Sequence, residues 1–237
     1  MSVTPASLVW LFDIDGTLLL TKGAGREALM RALLAEYGIE DDLKSIPFAG
    51  RTDLLIVGDI AAKHGLDLGD GALRRFFKVV AGHMRTLMDP PRGGLLPGVE
   101  ALLRAIASEP AWVTALLTGN ESEMARIKLE AFGIHDAFAW GAFGDEAPDR
   151  NELAKLAVRR AAERHGVPPG RCVVVGDTEH DIACARAAGA KVVAVATGSQ
   201  SSEVLGACGP DLLVENFESV RPILQWIRTQ AGLESTR

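Results

Sequence analysis

The segment LVWLFDIDGT, residues 8–17, decides the fold. Its first five residues form a short, uninterrupted apolar run, which is typical of a strand buried on both faces of a parallel sheet. Asp13 and Asp15 follow at once, and Gly16 lets the chain turn. Because sites in such sheets form outside the carboxyl ends of the strands, the two aspartates are expected in a site.

Two aspartates in one turn repel each other, by roughly 4 kcal/mol at about 4 Å and an effective dielectric constant of about 20. A hard cation with oxygen ligands would offset this repulsion. The alternative is a pair of exposed turn aspartates that cap a helix, and the segment alone leaves both interpretations open.

The same strand type recurs along the chain and alternates with helical patterns. Further strands are expected at residues 112–117, 172–175, 192–195 and 212–214, and helices at residues 99–107, 121–132, 152–165, 180–188 and 220–229. This alternation predicts an α/β fold, a doubly wound, Rossmann-like parallel sheet with helices on both faces.

One segment breaks the alternation, and we call residues 19–92 the helical insert. It contains three helical patterns, at residues 26–37, 52–64 and 72–88, and no convincing strand. The Pro- and Gly-rich residues 90–94 are typical of a linker. We therefore predict an α/β core at residues 1–18 and 93–237, with an all-helical domain inserted after the first strand.

Composition excludes several classes of protein. Of the 237 residues, 48% are hydrophobic and the net charge is −6, so the chain can bury a core and is not disordered. The acidic balance argues against nucleic acid or an anionic membrane as partner. Three cysteines without a CxxC pair, and no signal-like segment, predict a cytoplasmic protein with reduced thiols. The oligomeric state stays open.

A second acidic strand end strengthens the case for a metal. The run VVVGDTEHD, residues 173–181, is an apolar strand ending in Gly-Asp, with Asp181 four residues after Asp177. Asp181 is expected on the first turn of the next helix, facing the same side. Four carboxylates at two strand ends predict a Mg²⁺ site, because Mg²⁺ prefers oxygen ligands.

A third strand ends in Thr118-Gly119-Asn120. The hydroxyl of Thr118 and the backbone N–H groups that follow, at a helix N-terminus, would bind an anion such as phosphate. An ordinary helix N-cap is the alternative, since Thr and Asn also favour that position.

These three elements resemble motifs I, II and IV of the haloacid dehalogenase superfamily, DxDGT, S/T-G-N and GDxxxD, and the insert resembles the helical cap of its phosphoglycolate-phosphatase-like branch. The resemblance implies that Asp13 is the nucleophile and becomes an aspartyl-phosphate, and that Asp15 is the general acid and base. It implies a Mg²⁺ ion held by Asp13, the backbone carbonyl of Asp15, Asp177 and Asp181. Thr118, with Gly119 and Asn120, would bind the phosphoryl group.

The sequence departs from the family at motif III, usually a Lys followed by Pro. Here residues 147–152 read APDRNE. Arg150 is the nearest cation, and its planar fork suits phosphate and carboxylate. Lys155 is the rival, one helical turn further on, and solvated charge on a helix face is the alternative for both.

The resemblance predicts a Mg²⁺-dependent phosphatase acting on a small phosphorylated metabolite. A phosphomutase, or a non-catalytic phosphate-binding module on the same fold, is the alternative. The substrate is not predicted, and candidates for specificity within the helical insert are Lys22, Arg26, Arg51 and Thr52.

Overall fold

The structure, a computed structural model, describes residues 6–230, so the two ends of the predicted core, residues 1–5 and 231–237, lie outside the described residues. The strands are β1 Leu8–Phe12, β2 Leu19–Leu20, β3 Gly94–Leu95, β4 Trp112–Leu117, β5 Gly141–Ala142, β6 Cys172–Gly176, β7 Lys191–Val195 and β8 Leu212–Val214. The α-helices are α1 Ala24–Tyr37, α2 Asp53–His64, α3 Asp70–Leu87, α4 Val99–Ala107, α5 Ser122–Ala131, α6 Arg150–His165, α7 Glu179–Ala187, α8 Ser202–Ala207 and α9 Arg221–Gln230.

Six strands form one parallel sheet in the order β5-β4-β1-β6-β7-β8, which confirms the predicted α/β fold class. β1 lies inside the sheet, between β4 and β6. Its alternate residues pack into two separate apolar clusters, one on each face of the sheet. Trp10 and Phe12 belong to one cluster, and Val9 and Leu11 to the other. A strand covered on both faces has no polar side, which explains its uninterrupted apolar run.

The helical insert has an apolar core of its own, built from α1, α2 and α3. α1 and α3 pack closely on each other, and Met124 and Ile127 of α5 join the same cluster. The insert therefore rests on the helix that follows β4, next to the carboxyl ends of the central strands.

Four short elements differ from the sequence prediction. The prediction of no strand in the helical insert was wrong at its start, because Leu19–Leu20 pairs antiparallel with Gly94–Leu95 at the junction with the core. The edge strand Gly141–Ala142 and the six-residue helix Ser202–Ala207 were missed. Elements of two to six residues are too short to show a hydrophobic period.

Among residues 6–230, no helix combines the length and the apolar character that crossing a bilayer requires.

Candidate active site

The carboxyl ends of three adjacent strands bring the motif residues together. Asp13 directly follows β1, Thr118 follows β4 and Asp177 follows β6, and β1 lies between the other two strands. The backbone N–H of Asp13 donates to the carbonyl oxygen of Val175 at 2.9 Å, which continues the β1–β6 pairing by one residue. Residues far apart in the chain thus meet because the strands are neighbours.

Asp13, Asp177 and Asp181 form a buried carboxylate cluster. Each offers a carboxylate oxygen, and the three oxygens all lie within 4.8 Å of one another. Local hydrogen bonds fix two of the side chains. Thr17 Oγ1 donates to Asp177 Oδ1 at 3.0 Å, and the backbone N–H of Thr178 donates to Asp181 Oδ2 at 3.0 Å.

Glycines bring the backbone close to this cluster. A Cβ atom at Gly198 would lie 1.6 Å from Asp177 Oδ2, and one at Gly16 would lie 2.4 Å from the same atom. Gly16 also has a φ of 82°, in the left-handed region that other residues rarely adopt. The backbone therefore holds the Asp177 carboxylate in place and leaves little room for another side chain.

Two carboxyls in this cluster, those of Asp13 and Asp177, resist ionisation. Burial, with the charge of Asp181 and of Asp13 added, raises the pKa of Asp177 to about 8. Burial also raises the pKa of Asp13 to about 6, although the nearby Arg150 guanidinium opposes that rise. Three buried acidic oxygens that repel one another are a suitable ligand set for a divalent cation, which would hold them all ionised. The residues present therefore fit a Mg²⁺ ion.

Arg150 lies beside the carboxylate cluster. α6 begins at Arg150 because the Asp149 side chain caps it, accepting from the N–H groups of Asn151 and Glu152. Arg150 Nη2 lies 3.2 Å from Asp13 Oδ1 and is also paired with Asp181. Its side chain is only 9% exposed, and its buried Nε has no hydrogen-bond partner among the residues that the structure describes.

Lys155, the rival cation, points elsewhere. Its ammonium group pairs with Glu152 at 2.7 Å, and its side chain is 47% exposed. Of the two cations, Arg150 is the one that lies beside Asp13.

The Asp15 side chain points away from the carboxylate cluster. Its Oδ2 accepts a hydrogen bond from Asn120 Nδ2 at 2.8 Å and another from Lys128 Nζ at 2.5 Å. Lys128 Nζ also donates to Asn120 Oδ1 at 2.5 Å. Sequence reasoning missed Lys128, although one signal was present: it lies on the buried face of α5, one turn after Met124.

The residues proposed for phosphate are close to this group. Gly119 and Asn120 line the cavity described below, whereas Thr118 is fully buried. Thr118 Oγ1 accepts hydrogen bonds from Asn120, at 3.2 Å from its backbone N–H and at 2.8 Å from Nδ2. Thr118 thus orients the Asn120 side chain.

A cavity of about 550 Å³ lies between the strand ends and the helical insert. Asp13, Asp15, Asp177 and Arg150 line its core side, and its opposite wall comes from the insert. That wall includes three of the four specificity candidates, which are Lys22, Arg26 and Arg51. The cavity is large enough for a small organic ligand.

Thr52, the fourth candidate, serves another purpose. Its hydroxyl donates to the carbonyl oxygen of Pro148 at 2.9 Å and caps α2. The next residue, Asp53, was not predicted as part of the site. Its backbone N–H donates to the carbonyl oxygen of Gly119 at 2.6 Å, and its carboxylate accepts from the N–H of Glu121 at 2.7 Å.

Asp53 is a partly buried residue in contact with the core. Burial raises its pKa to about 6, and the positive charge of Lys128 opposes that rise. Together with Thr52, it ties the start of α2 to the loops that follow β4 and β5. From sequence, an Asp in a first helical turn looks like an ordinary favourable charge at a helix N-terminus.

Comparison with known proteins points to one family. Residues 9–189 match the family described as haloacid dehalogenase-like hydrolase. A phosphoglycolate phosphatase of Xanthomonas campestris pv. campestris is 31% identical over 196 residues, covering 79% of this chain and 82% of the relative. The fructose-1-phosphate phosphatase YqaB of Escherichia coli is 30% identical over 187 residues, covering 78% and 94%.

A solved structure shows the same fold. The crystal structure of CbbY from Rhodobacter sphaeroides in complex with phosphate superposes with a TM-score of 0.71 at 22% identity, covering 90% of this chain and 96% of that one.

Proposed function

The chain belongs to the haloacid dehalogenase-like hydrolase family, and from its active-site geometry we propose that it is a Mg²⁺-dependent phosphatase that cleaves a small phosphomonoester through a phosphorylated Asp13. The match to this family confirms the family resemblance seen in the sequence. With named phosphatases among its relatives, the protein is a phosphoric monoester hydrolase. What we propose is that the protein uses a Mg²⁺ ion, that Asp13 becomes phosphorylated, and that each site residue has the role given below.

The proposal rests mainly on the groups that surround the Asp13 carboxylate. Its buried carboxylate lies at the end of an internal strand, 3.2 Å from the Arg150 guanidinium and at the wall of the cavity. In the first step an Asp13 oxygen attacks phosphorus and the bond from phosphorus to the leaving oxygen breaks. In the second step water attacks the same phosphorus and releases Asp13 and phosphate. Two displacements replace one difficult reaction.

Asp15 would transfer the protons for both steps. It gives a proton to the leaving oxygen in the first step and takes one from the attacking water in the second. Its side chain lines the cavity and is 42% exposed, so it can reach a bound substrate. Asn120 and Lys128 hold the side chain away from the carboxylate cluster, which leaves it free for this task.

Mg²⁺ would be held by the side chains of Asp13 and Asp177 and by the backbone carbonyl of Asp15, with Asp181 supporting through water. When bound, the ion would neutralise charge on the phosphoryl group and keep the carboxylates ionised. Arg150 contributes a second positive charge, and its bonds to Asp13 and Asp181 orient both carboxylates. Phosphoryl transfer depends mainly on this kind of positioning and charge neutralisation.

Thr118, Gly119 and Asn120 complete the proposed phosphoryl site. The carbonyl of Gly119 accepts from Asp53, and a Cβ at Gly119 would lie 2.1 Å from the carbonyl oxygen of Arg51. The backbone of the helical insert thus packs directly on this loop. A bound phosphoryl group would be covered by the insert, with water largely excluded.

The substrate is proposed only as a class, a small phosphorylated metabolite. Phosphoglycolate and fructose 1-phosphate are the first compounds to test, since they occur in the names of the relatives. Lys22, Arg26 and Arg51 would contact the part of the substrate beyond the phosphate.

The experiment is a release assay for inorganic phosphate. The purified protein is incubated with p-nitrophenyl phosphate and with a panel of phosphorylated metabolites, in Mg²⁺ and in EDTA. Asp13→Asn is the matched variant. We expect Mg²⁺-dependent release by the wild-type protein and none by the variant. A quenched reaction should contain phosphate bound to Asp13 that hydroxylamine removes, as expected of an acyl phosphate. Equal release in EDTA, or by the variant, would refute the proposal.

A further inference from the structure

Lys128 is a buried cation on α5 that pairs with Asp15 and Asn120. Its side chain is 5% exposed, and Met124 and Ile127 on the same buried face pack into the apolar cluster of the helical insert. A buried ammonium group is costly unless it is paired. If the position served only packing, an apolar side chain such as Met would suit it better.

Lys128, Asn120 and Asp15 form a closed triangle of hydrogen bonds. Lys128 Nζ donates to Asp15 Oδ2 and to Asn120 Oδ1, both at 2.5 Å, and Asn120 Nδ2 donates to Asp15 Oδ2 at 2.8 Å. Asn120 is fixed in turn by Thr118 Oγ1. Each member is therefore held by the other two, and the amide orientation of Asn120 is determined by the triangle.

The triangle engages only one oxygen of Asp15. Both bonds end on Oδ2, while Oδ1 receives no hydrogen bond from residues 6–230. Asp15 is the most exposed member, and it lines the cavity. Anchoring Oδ2 on a rigid helix fixes the position of Oδ1, which can then face a ligand.

We propose that Lys128 is a positioning residue that fixes the Asp15 side chain, so that Oδ1 meets the oxygen that leaves from the substrate. This inference rests on the proposed function. In the step concerned, the bond from phosphorus to the leaving oxygen breaks, the bond from phosphorus to Asp13 forms, and the proton on Asp15 passes to the leaving oxygen. Lys128 keeps its own protons and does not touch the substrate. A displacement of about 1 Å in such a group can cost 10²-fold in rate.

The test compares two substrates that differ in their need for a general acid. The value of kcat/KM reports the reaction up to the first phosphoryl transfer, so it isolates the leaving-group step. Nitrophenolate leaves readily without a proton, whereas an alkoxide does not. The substrates are p-nitrophenyl phosphate and whichever of phosphoglycolate and fructose 1-phosphate is turned over better.

Lys128→Met should lower kcat/KM for the alkyl ester by about 10- to 100-fold, part of the 10²- to 10⁴-fold contribution of a general acid. For p-nitrophenyl phosphate we expect a change of less than about threefold. In an Asp15→Asn background, Lys128→Met should cause almost no further loss, since a residue that acts only through Asp15 has nothing left to position.

Arg126→Met is the matched control. Arg126 lies on the same helix, pairs with Glu123 and Glu130, and is half exposed, so both substrates should be turned over as by the wild type. Thermal unfolding checks that each variant is folded, and Lys128→Gln replaces Lys128→Met if the latter does not fold.

Four results would overturn the inference. Equal losses on both esters, or losses that multiply in the double variant, would show that Lys128 acts independently of Asp15. An equal rise in KM on both esters, with kcat unchanged, would show that Lys128 binds substrate. Failure of both Lys128 variants to fold would make the lysine structural. By contrast, no Mg²⁺-dependent turnover of either ester by the wild-type protein would refute the proposed function, and this inference with it.

Discussion

Replacing Asp177 with Asn should stabilise the metal-free protein at neutral pH and greatly weaken its stabilisation by Mg²⁺. Burial and the charge of Asp181 and Asp13 raise the pKa of Asp177 from 3.8 to about 8. At pH values between these two pKa values, Asp177 keeps its proton in the folded protein and releases it in the unfolded chain. Because the folded state then binds more protons, the free energy of unfolding falls as the pH rises from about 4 toward 8.

The size of the effect follows from the pKa difference. Each pH unit between the two pKa values costs about 1.4 kcal/mol, so the loss at pH 7 is roughly 4 kcal/mol as an upper value, because Asp13 shares the same repulsion. Asn avoids this cost, since it cannot ionise. It has the shape of Asp, so it fits against Gly16 and Gly198, and its oxygen still accepts from Thr17.

The assay is urea unfolding at pH 5, 6, 7 and 8, in EDTA and in Mg²⁺. In EDTA the variant should exceed the wild type by about 2–4 kcal/mol at pH 7, with the difference shrinking as the pH falls. Mg²⁺ at 100 times its dissociation constant should stabilise the wild type by about 2.7 kcal/mol and the variant much less. Asp136→Asn, at a fully exposed position, is the control and should change stability by less than about 0.5 kcal/mol.

Two outcomes would refute this reasoning. One is a variant that is less stable than the wild type in EDTA at pH 7. The other is a difference that stays constant across the pH series. Either would mean that the Asp177 carboxyl is already ionised in the metal-free fold, and that it experiences no net repulsion there.

Three further predictions concern turnover. Asp13→Asn should abolish turnover, because an amide does not attack phosphorus, while circular dichroism shows an unchanged fold; near-normal rates would exclude Asp13 as nucleophile. Asp15→Asn should lower the rate about 10²- to 10⁴-fold. Its Mg²⁺ affinity, measured by calorimetry, should stay nearly unchanged, whereas a large loss of affinity would show that the Asp15 side chain is a metal ligand. Arg150→Ala should lower turnover strongly and Lys155→Ala by less than about twofold, because of these two residues only Arg150 lies beside Asp13. Similar losses of turnover in both variants would refute this assignment.

The central strands and their acidic ends could be predicted from the sequence, because each signal is local. A strand buried on both faces needs a continuous apolar run, and residues 8–12 and 112–117 are strands with those bounds in the structure. The two aspartates after the first run, and the Gly-Asp after residues 172–175, stand directly at strand ends. Parallel pairing then requires that they meet at one edge of the sheet.

The orientation of side chains at the site could not be predicted in this way. Arg150 and Lys155 are both cations near the start of one helix, and the sequence did not distinguish them. The Asp149 cap decides where α6 begins, which places Arg150 at its first residue, beside Asp13. Lys155 lies beside Glu152, and pairs with it.

Lys128 and Asp53 show most clearly what the sequence alone cannot predict, since each acquires its partners only on folding. Lys128 is separated by 113 residues from Asp15, and Asp53 by 68 residues from Glu121. In sequence, a lysine in an amphipathic helix and an aspartate in a first helical turn both look like solvated charge. Only the packing of α5 and of the helical insert against the strand ends buries Lys128 and partly buries Asp53. Burial then makes pairing obligatory, because an unpaired buried charge costs far more than an exposed one.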